Sequence, residues 1–389
     1  MSLILDEHRH YLADHPRITA YERALAATVR PGDIVLDLAS GTSVLGILAC
    51  RAGAARVYSI DDGSIIQVAR ELARANGVAD RMVFIREFST RTTLPEPVDV
   101  IVCDQMGHMG FEAGVLEYVR DAKQRMLKRD GRSIPQSIAF EVAGLESDDL
   151  RDRLDFWERQ PAGLDVTPAR GIALNTGYPA LVAPQQLLTD GAVIARTDVL
   201  GDDAYALEGS VRLTVTRAGR LDGICAWFTA ELAAGITLTN QPGAPDRIDR
   251  RNAMLPIERP IAVRPGDFID VDLHIIPDDM VVTWTAAVRR PGEDPPLARS
   301  RHSTFRGILI ADEDLRRTDP DLRPELTAAG LARRTVVDLC DGQRTLREIE
   351  RLVFERHSTL LGTPADAAVF VSEVVSRYCL PVRASVPPR

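Results

Sequence analysis

Asp37, Gly41 and Asp61 are the residues whose types and spacing point most directly to chemistry. The stretch VLDLASGTSVLG, residues 35–46, is an apolar run closed by an Asp, then a turn of small residues, then a helix start. In a doubly wound sheet a ligand binds at the carboxyl ends of the strands, where a small turn lets it approach the backbone. Gly41 is the glycine such a turn needs. One strand later VYSIDD ends at Asp61, about twenty residues on, where a carboxylate can accept both ribose hydroxyls of an adenosine ligand. A dinucleotide calls for G-x-G-x-x-G, so that its pyrophosphate sits on a helix N-terminus. Here the segment is Ala39-Ser40-Gly41-Thr42-Ser43, and Asp37 beside it would repel phosphate while attracting the ammonium of a methionine moiety. The expected cofactor is therefore S-adenosylmethionine rather than NAD.

A second constellation lies on CDQMGHMGFEAGVL, residues 103–116, where Asp104, His108 and Glu112 follow one another at intervals of four. Methyl transfer from a sulfonium is an in-line displacement whose leaving group needs no proton. The protein positions the reactants and, where required, deprotonates the acceptor. An imidazole titrating near ~6.5 can be poised for that by adjacent carboxylates. Asp104, His108 and Glu112 are the catalytic candidates; the alternative for the two carboxylates is helix capping or loop solvation. Met106 and Met109 are assigned packing.

The elements that must hold these residues are legible as alternation. Runs at 34–38, 57–60, 82–85 and 98–102 read as strands, with helix-period stretches at 44–52 and 64–76, the βαβαβ pattern of a parallel sheet covered by helices. After residue 142 the texture changes to strands parted by Pro and Gly, at 211–215, 223–232 and 268–275, which describes an antiparallel sheet or barrel. Residues 164–190, rich in Pro, Gly and Ala, form an excursion, either loop or contact arm. From about residue 311 the pattern is helical, with Ile349, Leu352 and Val353, then Val369, Phe370 and Val374, marking two amphipathic helices. The expected class is α/β: N-terminal cofactor-covering helices at 1–30, a Rossmann-like domain at 31–145, a β-barrel-like domain at 146–310 and a small helical domain at 311–389.

Composition bounds the function. The 389 residues are 45% hydrophobic and 26% charged, as in a soluble globular protein. The net charge of −9 offers no basic field for a phosphate backbone, so a nucleic-acid partner is disfavoured. Cys50, Cys103, Cys225, Cys340 and Cys379 are scattered without C-x-x-C spacing, which indicates neither a disulfide framework nor a metal site. No apolar stretch reaches the ~18 residues of a membrane span, and a reducing cytoplasm is expected.

The sequence resembles the protein arginine methyltransferases over about residues 6 to 290. LADHPRITAYERAL looks like that family's L-K-D-x-x-R-T-x-x-Y-x-x-A-I helix, and AWFTAELAAGITLTNQP is similar to its F-x-x-x-F-T-A-x-L-x-x-G-I-x-L-S-T-x-P segment. IERPIAVRPGDFIDVDL likewise resembles a strand pair of the family. The resemblance implies that Arg17 holds the cofactor carboxylate, that His8 and Thr90 join the cofactor site, and that residues 164–190 are a dimerisation arm building a head-to-tail homodimer.

Departures from the family pattern fall at the acceptor. The family's loop reads S-E-W-M-G-Y-x-x-x-Y-E; here Asp104 stands for the first Glu, Gln105 for the Trp, and Glu112 lies one residue early. The T-H-W segment is replaced by Ile248-Asp249-Arg250, which brings a positive charge to where a guanidinium should bind. LARRTVVDLCDGQRTLREIERLVFERH, from Leu331, resembles the small peptide-binding domain of pyrroloquinoline quinone biosynthesis, notably in its L-C-D-G-x-R-T-x-x-E-I run; that family binds leader peptides by adding a strand to a sheet edge. The expected activity is methylation of a peptide or small natural-product precursor on oxygen or nitrogen. The alternatives are arginine N-methylation with a rebuilt acidic loop, and a peptide-binding pseudoenzyme.

Overall fold

The structure is a computed structural model that describes residues 4–201, 206–309, 311–317 and 319–379. The chain divides into two compact units, at residues 1–308 and 309–389.

The first unit opens with α1 (Ile4–Ala13) and α2 (His15–Thr28), then alternates β1 (Ile34–Leu38), α3 (Val44–Arg51), β2 (Arg56–Ile60), α4 (Ile66–Ala75), β3 (Met82–Ile85), β4 (Val98–Cys103), α5 (Val115–Arg125) and β5 (Leu127–Ile134). The five strands pair in parallel in the order β3-β2-β1-β4-β5. Near-continuous apolar runs explain the parallel arrangement, because both faces are covered: Val35, Leu36, Val57, Val100, Ile101 and Val102 are fully buried. The order reverses between β1 and β4, which opens the crevice that ligands occupy in such sheets. Register then sets the site: Leu38 lies beside Ile60 on one side and Cys103 on the other. The turns that begin at Ala39, Asp61 and Asp104 therefore leave the sheet side by side.

The antiparallel region follows. It contains β6 (Ser137–Leu145), α6 (Asp148–Asp155), α7 (Arg170–Leu174), β7 (Tyr178–Ala180), β8 (Ala192–Asp198), β9 (Leu207–Thr214) and β10 (Gly219–Ala233), then β11 (Ile236–Thr239), β12 (Asn252–Val263), β13 (Phe268–Ile276), β14 (Val281–Arg289) and β15 (Ala298–Ser303). Two sheets result, β7-β12-β10-β6-β8 with β11 on β10, and β15-β14-β13-β9. Gly144 marks where they meet, since a Cβ there would lie 2.7 Å from Ile269 Cδ1. β10 runs further than the 223–232 stretch the sequence suggested, carried through a bulge at Leu221/Gly223. Asp222, wholly buried at that bulge, accepts from Ser147 N at 2.8 Å and from Arg220 Nε at 2.7 Å. This is the Rossmann-like sheet with a barrel-like antiparallel domain that the sequence pattern describes.

The excursion of residues 164–190 is packed structure. Leu150, Leu154, Ala173, Leu174 and Val182 form a core of their own with Leu145, Cys225, Met254 and Trp227. Apolar side chains from short helices meet one sheet face there, a pattern too broken for periodicity to reveal.

The second unit holds α8 (Asp312–Arg316), α9 (Ala328–Leu339), α10 (Leu346–His357) and α11 (Pro364–Tyr378). Val336, Leu339, Ile349, Val353, Ala367, Val371 and Val374 make its core. Capping boxes, Thr345 with Glu348 and Thr363 with Asp366, start α10 and α11. Among the described residues this unit has no strand. Among those residues the strand-edge pairing implied by the peptide-binding resemblance thus finds no acceptor edge, because they form helices joined by turns.

Candidate active site at the sheet's switch point

The turn after β1 is built from left-handed residues: Ala39, Gly41 and Ser43 have φ of 51°, 52° and 54°. Gly41 is required twice over. A side chain would be strained at that φ, and a Cβ would lie 2.6 Å from Cε1 of His8. His8, on α1, thus covers the turn. Asp61 closes the other side, its Oδ2 accepting from Gly41 N and its Oδ1 from Gly63 N, both at 2.8 Å. One lone pair of each oxygen is used, which leaves the carboxylate able to receive a diol. Ser40 Oγ, Ser43 Oγ and Ser59 Oγ are buried and without a partner. A cradle of left-handed turn, half-satisfied carboxylate and orphaned hydroxyls suits an adenosine-bearing ligand, and the residues fit S-adenosylmethionine.

Asp37 stands two residues before that turn, inside β1. It is 1% exposed, and its Oδ2 accepts from Gly46 N at 2.9 Å. Burial pushes its carboxyl well above the ordinary range. Its position below the first turn of α3 fixes the start of that helix, which also carries the favourable dipole for a carboxyl. Thr90, on the turn Ser89–Arg91, is exposed and makes no contact with the cradle residues through hydrogen bonds of its own.

Arg17 and Asp104 are brought together across 87 residues of sequence. The guanidinium makes two contacts with Asp104 Oδ2, through Nε and Nη2, and also donates to Tyr11 O at 3.0 Å. Both side chains of the pair are more than nine-tenths buried, at 9% and 8% exposure. Tyr21, fully buried one turn along α2, donates its hydroxyl to Asp104 Oδ1 at 3.0 Å. The rings of Tyr11 and Tyr21 flank the guanidinium at 5.0 and 6.0 Å. Tyr21 and Tyr11 were not singled out from sequence, although Tyr21 stands inside the helix motif that located Arg17.

Glu112 turns back on its own loop. Its carboxylate accepts from Met109 N at 2.9 and 3.0 Å and from Phe111 N at 3.2 Å, and it sits directly against Gly107, where a Cβ would collide with Oε2. Burial raises its carboxyl above the usual range, against the opposing pull of those amides and of His108. His108 is therefore a neighbour of Glu112, while Asp104 is engaged by Arg17 and Tyr21. His108 Nδ1 lies 3.3 Å from Arg251 O. With the proton on Nδ1 for that contact, Nε2 presents its lone pair.

The segment before β12 clamps this loop. Asn240 Nδ2 donates to His108 O and to Arg251 O, each at 2.8 Å. Arg250 donates to Met106 O, and Asp249 N donates to Asp14 Oδ2 at 2.9 Å, tying the clamp to the cap of α2. Arg250 is close enough to act electrostatically on both Arg17 and Tyr21. Asp14 and Asn240 carry this frame, with Arg247 donating to Asn240 O at 3.2 Å and to Arg250 O at 2.8 Å; none was found from sequence, since nothing local marks bonds between segments far apart in the chain.

Comparison with known proteins agrees with the geometry. A family model described as "Ribosomal protein L11 methyltransferase (PrmA)" matches residues 14–137. The chain is 28% identical over 273 residues, 68% of its length and 75% of the relative's, to "Arginine N(omega)-methyltransferase" of Streptomyces achromogenes subsp. streptozoticus. It is 25% identical over 309 residues, 76% of its length and 91% of the relative's, to "Protein arginine N-methyltransferase 6" of Xenopus laevis. Among solved structures it is similar to the Trypanosoma brucei PRMT1 enzyme-prozyme heterotetrameric complex with AdoHcy, with TM-score 0.69 and 21% identity over 76% of this chain and 97% of that one. Arabidopsis thaliana protein arginine methyltransferase 10 follows at TM-score 0.66 and 21% identity, covering 77% of this chain and 98% of that one. The fold is that of the protein arginine methyltransferases.

Proposed function

We propose that this S-adenosylmethionine-dependent methyltransferase delivers its methyl group to an oxygen or nitrogen of a peptide or small natural-product precursor, and not to the guanidinium of a protein arginine. The observation that carries this reading is the placement of Arg250, which donates to Met106 O within the loop that bears Asp104 and Glu112. A guanidinium is aligned by two carboxylates free to receive it. Here Asp104 is neutralised by Arg17, and Glu112 spends its oxygens on backbone amides in a setting that favours its uncharged form. A cationic acceptor entering beside Arg250 meets like charge, whereas a neutral or anionic one does not.

When bound, S-adenosylmethionine supplies an electrophilic methyl group on a sulfonium. Asp61 and the turn at Gly41 would hold its ribose and backbone-facing edge, with His8 as cover; Arg17 would hold its carboxylate. His108, held at Nδ1, presents Nε2 as the acceptor of a proton from the methylated atom. Glu112 steadies the loop on which His108 stands.

Arginine methylation is the second reading, favoured by the similarity to two arginine methyltransferases and by the survival of two carboxylates on one loop. Methyl-labelled cofactor separates the two. Label on free arginine or an Arg-Gly peptide that is lost in Asp104→Asn supports the second reading. Label on non-guanidino acceptors, with none on arginine substrates, supports the first.

The homodimer is part of the proposal. Leu164 and Leu181 on the excursion are 63% and 60% exposed, and Phe156 beside it 40%, an apolar set suited to burial against a second copy. Sedimentation of the wild type and of Leu164→Asp tests this: a dimer dissociated by the substitution supports it, and a monomeric wild type refutes it.

A further inference from the structure

The two cysteines of the helical unit stand apart from the other three. Cys50, Cys103 and Cys225 are 2%, 0% and 0% exposed, whereas Cys340 and Cys379 are partly exposed.

Cys340 is the C-cap of α9 and Cys379 the C-cap of α11. Helix register brings them together. Arg333 on α9 meets α11 at Glu373, 3.9 Å away, and lies over the Phe370 ring at 5.4 Å. Two turns further along each helix, the same faces return after about seven residues. That step carries Arg333 to Cys340 and the Phe370–Glu373 face to the end of α11, beside Cys379. The three helices follow one another across short turns, and Thr335 on α9 meets His357 at the end of α10 at 2.9 Å, so α10 turns back along α9 and α11 turns back in its own turn, which brings the caps of α9 and α11 to one end of the bundle. Burial, and after it the neighbouring Cys379 thiol, raise the Cys340 thiol to about 11. Cys340 also packs partly against the unit's apolar core, which holds the pair in place.

We propose that Cys340 and Cys379 form a dithiol that closes reversibly into a disulfide, bracing α9 to α11 across the segment that contains α10. The oxidant is a low-molecular-weight disulfide such as oxidised glutathione. One cysteine thiolate attacks it and expels a thiolate; the other cysteine then attacks the mixed disulfide and expels the second. Two protein thiols lose two electrons and two protons, and the small disulfide is reduced to two thiols. In a reducing compartment such a bond is transient and responsive rather than structural.

The test uses the full-length protein, incubated under native conditions with reduced or oxidised glutathione and then alkylated in denaturant. Oxidation is expected to lower the thiol count from five to three, and to link the tryptic peptide carrying Cys340 to the one carrying Cys379 within one chain. Cys340→Ser is expected to leave Cys379 as a glutathione adduct that dithiothreitol removes, with the fold intact by circular dichroism. Oxidised protein that retains five thiols, adducts on both cysteines without the cross-link, or a cross-link only between chains would overturn the proposal.

Discussion

The Arg17 guanidinium and the Asp104 carboxylate form a buried ion pair that joins the second N-terminal helix to the loop after β4, with Tyr21 as the third member. Because α2 would cover the cofactor and the loop would meet the acceptor, the pair links the two halves of the site. Removing one partner strands the other. Asp104→Asn is expected to destabilise the protein by about 3–5 kcal/mol, the range for an uncompensated buried charge. Urea unfolding checks this. Arg17→Met combined with Asp104→Leu should recover most of the loss, and an additive double variant would show that the pair contributes no coupling.

Gly41→Ala should weaken cofactor binding more than it weakens the fold. The left-handed φ of 52° adds about 1–2 kcal/mol of strain for an alanine, and the new methyl group displaces the His8 ring that covers the turn. A loss of about tenfold in S-adenosylhomocysteine affinity corresponds to about 1.4 kcal/mol. Unchanged affinity in titration calorimetry would mean that the turn does not contact the ligand.

Glu112 gives a pH-dependent expectation. Burial raises its carboxyl above the unfolded value, so the folded state holds the proton more tightly. Its contribution to stability is complete below about 4.3, the value for an unperturbed glutamate, and is lost as pH rises through the folded value. Glu112→Gln keeps an acceptor for the amides of Met109 and Phe111 without the charge. The variant should therefore gain stability relative to wild type between acid and neutral pH, as thermal melts at pH 4 to 8 would record. A stability difference that does not vary with pH would contradict it.

The parallel sheet was legible because its strands are apolar runs closed by acidic or small residues, and Gly41 and Asp61 could be placed from that alone. The antiparallel strands were legible in part; β10 runs through a bulge that breaks the alternation at Asp222. What stayed hidden is what depends on tertiary partners. Asp37 reads as a ligand contact, and its bond to the amide of Gly46 has no local signature. Glu112 reads as a catalytic candidate, and the way its loop folds amides onto it does not show in the spacing. The pairing of Arg17 with Asp104 spans 87 residues, and no local pattern encodes it. The excursion was legible as a break in the strand pattern but its packing was not, because its short helices bury isolated side chains against Trp227 rather than a periodic stripe.

The most direct test of the account is calorimetric titration of the wild type with S-adenosylhomocysteine, repeated with Asp61→Ala. The account predicts binding of about micromolar strength, abolished or weakened at least tenfold when the carboxylate that spans Gly41 N and Gly63 N is removed from a protein that remains folded. Absence of binding by the folded wild type, or full affinity in Asp61→Ala, would contradict it.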